Sequence, residues 1–244
     1  MDPPAARTRR REKGRPFAFP RPASPTVISL DGESLGHRSD GGRARENNLF
    51  GPRRLIVELT CRQFALTLLD DPTYTARSAD NVQQYDREYC LVKEYRPVSK
   101  YGLVCREPEG ATHSCILLAG GGVSRVHEHS AVVVNGSCFV GVGDMLCCLS
   151  LPTLDLKWAI KVDTATCFGV YYFPQDDCLL SHGELEIARV SLSGQIVWSV
   201  SGKEILSEGF RIVDDHVEVI DFNQEVYRID IATGQCELVQ GLNN

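Results

Sequence analysis

No stretch of this 244-residue chain approaches the roughly eighteen consecutive apolar residues of a membrane-spanning helix, so no such span is expected. The early basic residues Arg7, Arg9, Arg10 and Arg11 are not followed by an apolar run, so no secretory signal is expected. The ten cysteines include no CxxC pair, and the zinc and thioredoxin-type signatures are therefore missing. Helical periodicity is missing too: no segment repeats apolar residues on one helical face. There is no surplus of positive charge, since 32 acids against 26 bases leave a net of −6. That excludes a generally basic nucleic-acid binder.

The net charge conceals a break. Residues 1–54 carry twelve Arg/Lys and six acids, a net of +6, with seven of the twelve prolines and no cysteine. Residues 55–244 carry fourteen bases and twenty-six acids, a net of −12. Runs such as Arg15-Pro16-Phe17-Ala18-Phe19-Pro20 suit neither a helix interior nor a central strand, so residues 1–54 are expected to be a disordered basic tail. Its run Arg7–Arg15 would suit nucleic-acid binding or an import signal. The Arg/Pro/Gly/Ala bias also fits a solvated tail without a partner, or a mis-set start with translation beginning further in. The cysteines lie in apolar runs such as Met145-Leu146-Cys147-Cys148-Leu149 and read as structural thiols of a reducing compartment. A cytoplasmic location is the expectation.

From Leu55 onward the texture is that of β-structure. Leu55–Thr60, Phe64–Leu69, Tyr89–Tyr95, Tyr101–Cys105 and Ser114–Ala119 read as strands, with a long polar loop over Asp70–Arg87. Residues 55–112 form an N-terminal β segment that could supply a degenerate fourth blade. Residues 113–244 form a repeat region. Within it, Met145–Leu151, Glu186–Leu192 and Glu225–Ile231 superpose without large gaps, and the anchors Leu151, Leu192 and Ile231 lie 41 and 39 residues apart. Each anchor is followed by a turn (Pro152-Thr153, Ser193-Gly194, Thr233-Gly234) and then by Trp158, Trp198 or Leu238. Each copy is preceded by a hairpin, around Asn135-Gly136, Pro174–Asp177 and Asp214-Asp215.

Four short strands at a period near 40 are the mark of a propeller blade. The passages Leu154–Trp158, Ser191–Trp198 and Asp230–Gln235 resemble the strand–turn–Trp ends of quinoprotein-like (PQQ-like) β-propeller repeats, themselves related to WD40 blades. The resemblance covers about 130–240 and implies a blade architecture. The cofactor ligands that identify quinoprotein dehydrogenases have no counterpart here, so no redox chemistry and no cofactor is implied. The expected fold is all-β: a partial or small propeller-like array of four-stranded antiparallel blades. Three copies fall short of the four that a closed ring needs, which predicts open or irregular closure, with pairing between copies of the chain as one way to cover the edge.

Candidate chemistry is sparse. His127-Glu128-His129 would put two imidazoles on one face of a strand, and His182 could add a third metal ligand. A polar approach to the first blade is the plainer reading. Gly120-Gly121-Gly122 lacks phosphate-loop spacing and reads as a flexible bend. Cys167, His182 and Glu184 bring a thiol, an imidazole and a carboxylate into one blade, though without a known motif around them. His216 and the acidic turns Asp176-Asp177 and Asp214-Asp215 read as solvated hairpins. The leading expectation is a soluble binding or scaffold protein without its own catalysis, engaging protein partners. Its rivals are a small metal-dependent hydrolase using His127, His129 and His182, and nucleic-acid binding by the basic tail.

Overall fold

The computed structural model describes residues 25–29, 55–61, 64–92 and 96–241, and among these every regular element is a strand. The first sheet contains β1 (Pro25–Ser29), β2 (Leu55–Cys61), β3 (Phe64–Asp70), β4 (Arg87–Cys90), β5 (Ser99–Arg106) and β6 (Thr112–Ala119), in the order β1-β2-β3-β5-β6-β4. Blade 1 is the meander β7 (Ala131–Val134), β8 (Ser137–Val142), β9 (Met145–Ser150) and β10 (Leu156–Lys161). Blade 2 repeats it with β11 (Cys167–Phe173), β12 (Cys178–Gly183), β13 (Glu186–Ser191) and β14 (Ile196–Ser201). Blade 3 does so again with β15 (Gly209–Val213), β16 (His216–Ile220), β17 (Glu225–Asp230) and β18 (Cys236–Gly241).

Local chemistry accounts for these hairpins. Asn135 and Gly136 both take positive φ, 49° and 71°, as a two-residue turn between twisted strands requires. Asp177 and Asp214 supply the same left-handed geometry in the next two blades. Strand alternation then decides what each blade buries. In β8, Cys138 and Val140 point back to the first sheet while Phe139 points on to blade 2. In β12, Leu179 points back while Cys178 and Leu180 point on to blade 3. The result is three successive apolar seams between four stacked sheets, an array of propeller-like blades.

The first sheet is more than a degenerate fragment. Its strands β2, β3, β5 and β6 form a complete antiparallel meander, with β4 added in parallel along the outside of β6. Its last strand in sequence, β6, ends at Ala119. Pro25–Ser29 pairs antiparallel with β2 as an edge strand. A proline at the first position of an edge strand sacrifices no ladder bond, and Thr26-Val27-Ile28 are good strand formers. The remaining residues of the tail, including Arg7–Arg15, lie outside the described residues.

The closing tryptophans turn out to latch each blade to the next. The Trp158 indole N–H donates to the Leu192 carbonyl at 3.2 Å, and Trp198 donates to the Ile231 carbonyl at 2.9 Å. Gly194 (φ +86°) and Gly234 (φ +74°) let these rings lie flat on the turn, since a Cβ at either would come 2.7 Å from an indole carbon. In the first sheet, β4 takes over the role. The Tyr89 hydroxyl donates to the Leu154 carbonyl at 3.0 Å, and Arg87 donates to the Thr153 carbonyl at 2.9 Å. At the corresponding place in blade 3, Leu238 stands 47% exposed.

Among the described residues no apolar cluster joins blade 3 to the first sheet, so the array is open. The outer side of the first sheet is partly covered by the 71–86 loop, whose Tyr74 and Tyr85 pack on Ile116 and Leu118. The outer side of blade 3 is built differently. Where blades 1 and 2 place Val132 and Tyr171, blade 3 has Arg211, and where they place Phe139 and Leu180, it has Glu218. Arg211 and Arg228 both bond the Glu218 carboxylate and hold its pKa below the usual range.

Candidate functional site

The connections from one blade to the next gather at one end of the array and are stitched together through their backbones. Gly122 N–H donates to Ala165 O at 2.9 Å, Glu184 N–H to Thr166 O at 2.7 Å, and Leu206 N–H to Glu184 O at 2.8 Å. Buried Asp163 collects four backbone N–H groups, from Ala165, Thr166, Leu185 and Glu186. Gly120-Gly121-Gly122 bends at 121–122, and Gly122 is part of this stitching. Gly121 takes φ +73°, and side chains at Gly121 and Gly122 would collide with Ala165 and Thr166.

These connections border an open cleft of about 610 Å³ lined by Val123–His127, His129, Phe168, Tyr171, His182 and Ser207. All three histidines singled out in the sequence therefore meet here. They meet as parts of an aromatic column. His129 lies 4.7 Å from Tyr171, Tyr171 stacks on Phe210 at 4.5 Å, Phe210 stacks on His182 at 4.7 Å, and His182 meets Phe168 edge-on at 5.5 Å. The column crosses from the β6–β7 connection through blade 2 into the first strand of blade 3.

The imidazoles are committed to their surroundings. His182 Nε2 is 2.8 Å from the Leu206 carbonyl, an arrangement that places the proton on Nε2. His127 Nδ1 accepts the His129 backbone N–H at 3.2 Å. Burial holds both His127 and His182 below the ordinary imidazole pKa, against the opposing pull of nearby backbone carbonyls, so both are neutral at pH 7. Among the described residues no three His, Cys, Asp or Glu side chains are grouped so as to hold a metal ion.

Cys167 and His182 are likewise uncoupled. The thiol is directed at the Gly169 carbonyl, 3.5 Å away, and burial pushes its pKa up to about 12. Glu184 contributes its backbone to the stitching. His216 sits at the far end of blade 3, beside Asp215 and Glu218. The sequence reading did not single out Phe168 as a site residue, and missed Tyr171, Phe210 and Arg125. One signal was available: Phe210 occupies the position held by Ala131 and Val170 in the other blades, a large ring where the repeat has small residues.

No protein-family model matches the chain, and no curated protein matches it. Solved structures do match, 173 chains in all. The WD40 domain of Neurospora crassa Pan2 is 12% identical over 43% of this chain and 34% of that one, with a TM-score of 0.36. A europium-containing methanol dehydrogenase is 16% identical over 44% and 23%, with a TM-score of 0.36. BamB from Moraxella catarrhalis is 12% identical over 73% and 62%, with a TM-score of 0.41. The chain spans less than two thirds of the length of each. The likeness concerns the fold alone, and the blade assignment rests on the strand order and register given above.

Proposed function

We propose that this chain is a binding protein without its own catalysis, and that the cleft at the blade connections receives a group offered by a protein partner. The aromatic column carries the reading. Its His182 Nε2 is taken up by the Leu206 carbonyl and its His129 imidazole lies beside Glu128, so the column offers mainly ring surface, which suits contact better than proton transfer. Exposed apolar side chains surround it: Val98 and Val123 beside the cleft, and Ile205 and Phe222 on adjoining connections joined by a 2.7 Å backbone bond. Clusters of this kind mark contact surfaces.

The test is titration of the full chain with benzyl alcohol as a neutral ring probe, followed by NMR. Saturable shifts at Phe168, Tyr171 and His182, abolished in Tyr171→Ala, are expected. Shifts scattered over the surface would refute the site. Elemental analysis tests the hydrolase rival: a stoichiometric metal lost on combined His127→Ala and His129→Ala substitution would overturn the binding reading.

A further inference from the structure

We propose that the outer edge of β14 is a docking site for an extended strand of a partner protein, which joins blade 2 as a fifth strand. The proposal is independent of the cleft. Three observations carry it. First, β14 is the last strand of its sheet, and among the described residues no strand lies beyond it. Such an edge presents a row of backbone N–H and C=O groups, and what satisfies them in order is another extended backbone. Second, the outer strands of the four sheets differ in what guards them. Charged side chains on an edge deter pairing, lysine above all. In the first sheet β4 carries Arg87 and Glu88, β10 carries Lys157 and Lys161, and β18 carries Glu237. By contrast, β14 reads Ile-Val-Trp-Ser-Val-Ser, with no charge and no proline. A bulge interrupts β10, β14 and β18 alike, so it does not set β14 apart, and β14 pairs regularly from Trp198 to Ser201. Third, Ile196 and Val197 stand exposed on this strand, Val197 at 57%. Both are β-branched and suited to packing against a cross-strand neighbour. On β18 the exposed Leu238 and Val239 have Glu237 beside them.

The edge also says what kind of strand it takes. The Trp198 ring is turned onto the blade 3 turn by its bond to the Ile231 carbonyl, away from the β14 backbone. Glu186, one strand in on β13, accepts the Ser199 hydroxyl at 2.7 Å. A matching segment is therefore short and uncharged, with β-branched side chains at alternate positions. A second copy of the chain fits less well. Antiparallel pairing of β14 with β14 about a two-fold axis turns blade 1 toward blade 1 and blade 3 toward blade 3. Lys157 and Lys161 then face their own copies on one flank and Glu237 faces its own on the other, like charge against like.

The test adds a capped hexapeptide of alternating threonine and valine to the full chain and follows amide hydrogen exchange by NMR. At saturation the rim-facing amides of β14 are expected to exchange about tenfold more slowly, with those of β10 and β18 unchanged. The same peptide with N-methyl groups on the amides of its pairing edge keeps its side chains and loses those donors, and it should not protect β14. Val197→Lys places a guarding charge at an exposed position and should abolish the protection, while Val197→Thr should retain it. Protection spread evenly over the three outer strands, no protection of β14, or full protection of Val197→Lys or by the methylated peptide overturns the proposal. So does a native dimer in sedimentation that Val197→Lys splits, because the occupant would then be a second copy. None of these outcomes bears on the cleft, whose own titration reads Phe168, Tyr171 and His182.

Discussion

The latch between blades 2 and 3 makes a sharp prediction, because among the described residues blade 3 is held to the array at one apolar seam. Trp198 contributes two separable things to that seam. Its ring packs against the cluster that includes Leu180, Ile187 and Ile229, and its N–H bonds the Ile231 carbonyl at 2.9 Å. Trp198→Ala removes both and should cost about 2–3 kcal/mol, below the range of about 3–5 kcal/mol for a fully buried aromatic because the ring is partly buried. Trp198→Phe removes only the hydrogen bond. The Ile231 carbonyl also accepts from the Arg189 guanidinium at 2.9 Å, so it is not left orphaned, and about 0.5–1 kcal/mol is expected. The loss should be local. Hydrogen exchange should show β15–β18 losing protection well before β7–β10, as a terminal repeat detaches from its neighbour. Urea unfolding followed by exchange mass spectrometry reads both quantities. A Trp198→Ala cost below about 1 kcal/mol, or protection lost evenly across all three blades, would refute the latch.

Gly194→Ala should destabilise by about 1–3 kcal/mol, because the new methyl meets the Trp158 ring at 2.7 Å and the turn keeps φ at +86°; thermal denaturation measures it. Thiol labelling of the native protein should be rapid at exposed Cys90 and Cys236 and slow at Cys115, Cys147 and Cys167, which are buried with raised pKa values. A fast-labelling Cys167 would contradict the closed seam between blades 1 and 2. His127 and His182 are pushed down by burial, so below the unfolded imidazole pKa of about 6.5 the unfolded chain binds more protons than the folded one. Stability should therefore be flat between about pH 7 and 8 and fall as pH drops through 6.5 (about the unfolded value) toward the folded values, with a shallower fall in His182→Phe. Making the outer side of blade 3 apolar, with Arg211→Val and Glu218→Leu after the inner blades and Arg228→Leu in addition, should turn that side into an adhesive face. Sedimentation should show the variant self-associating at concentrations where the native chain does not, and equal behaviour of the two would argue that the Arg–Glu–Arg group does not protect that side.

The blades were legible in the sequence because a blade is a local object. Hairpin residues at fixed offsets, a two-residue alternation and a period near 40 are all contained in one stretch of chain, and the anchors Leu151, Leu192 and Ile231 mark them directly. The first sheet was harder to read because its strands are interrupted. The polar segment between β3 and β5 separates two neighbours of one meander, and β4 joins out of order. Tyr89 could not be equated with the tryptophans, since it reaches its latch position from a strand with no counterpart in the other blades. The cleft was half legible. His127 and His129 stand out as a pair, yet their chemistry depends on the partners brought by tertiary structure: the Leu206 carbonyl for His182, and Phe210 for Tyr171. Metal ligation needs convergence, and spacing in sequence specifies only neighbours.

An open array and an aromatic cleft belong together physically. In a closed ring each blade has two neighbours, and the connection ends are fixed by symmetry-like packing on both sides. Here blade 3 has one neighbour, so the rings that pass from His129 to Phe210 do structural work at the seam that a closed ring would share among all its blades. That explains why a large ring, Phe210, replaces the small residues found at its position in blades 1 and 2. It fills the space at the last seam and at the same time backs Tyr171 and His182 where they meet the cleft. The same ring that fills the seam to the terminal blade therefore also holds Tyr171 and His182 at the cleft. Stability of the last seam and affinity at the cleft should be linked through Phe210, since no change there can loosen one without disordering the other.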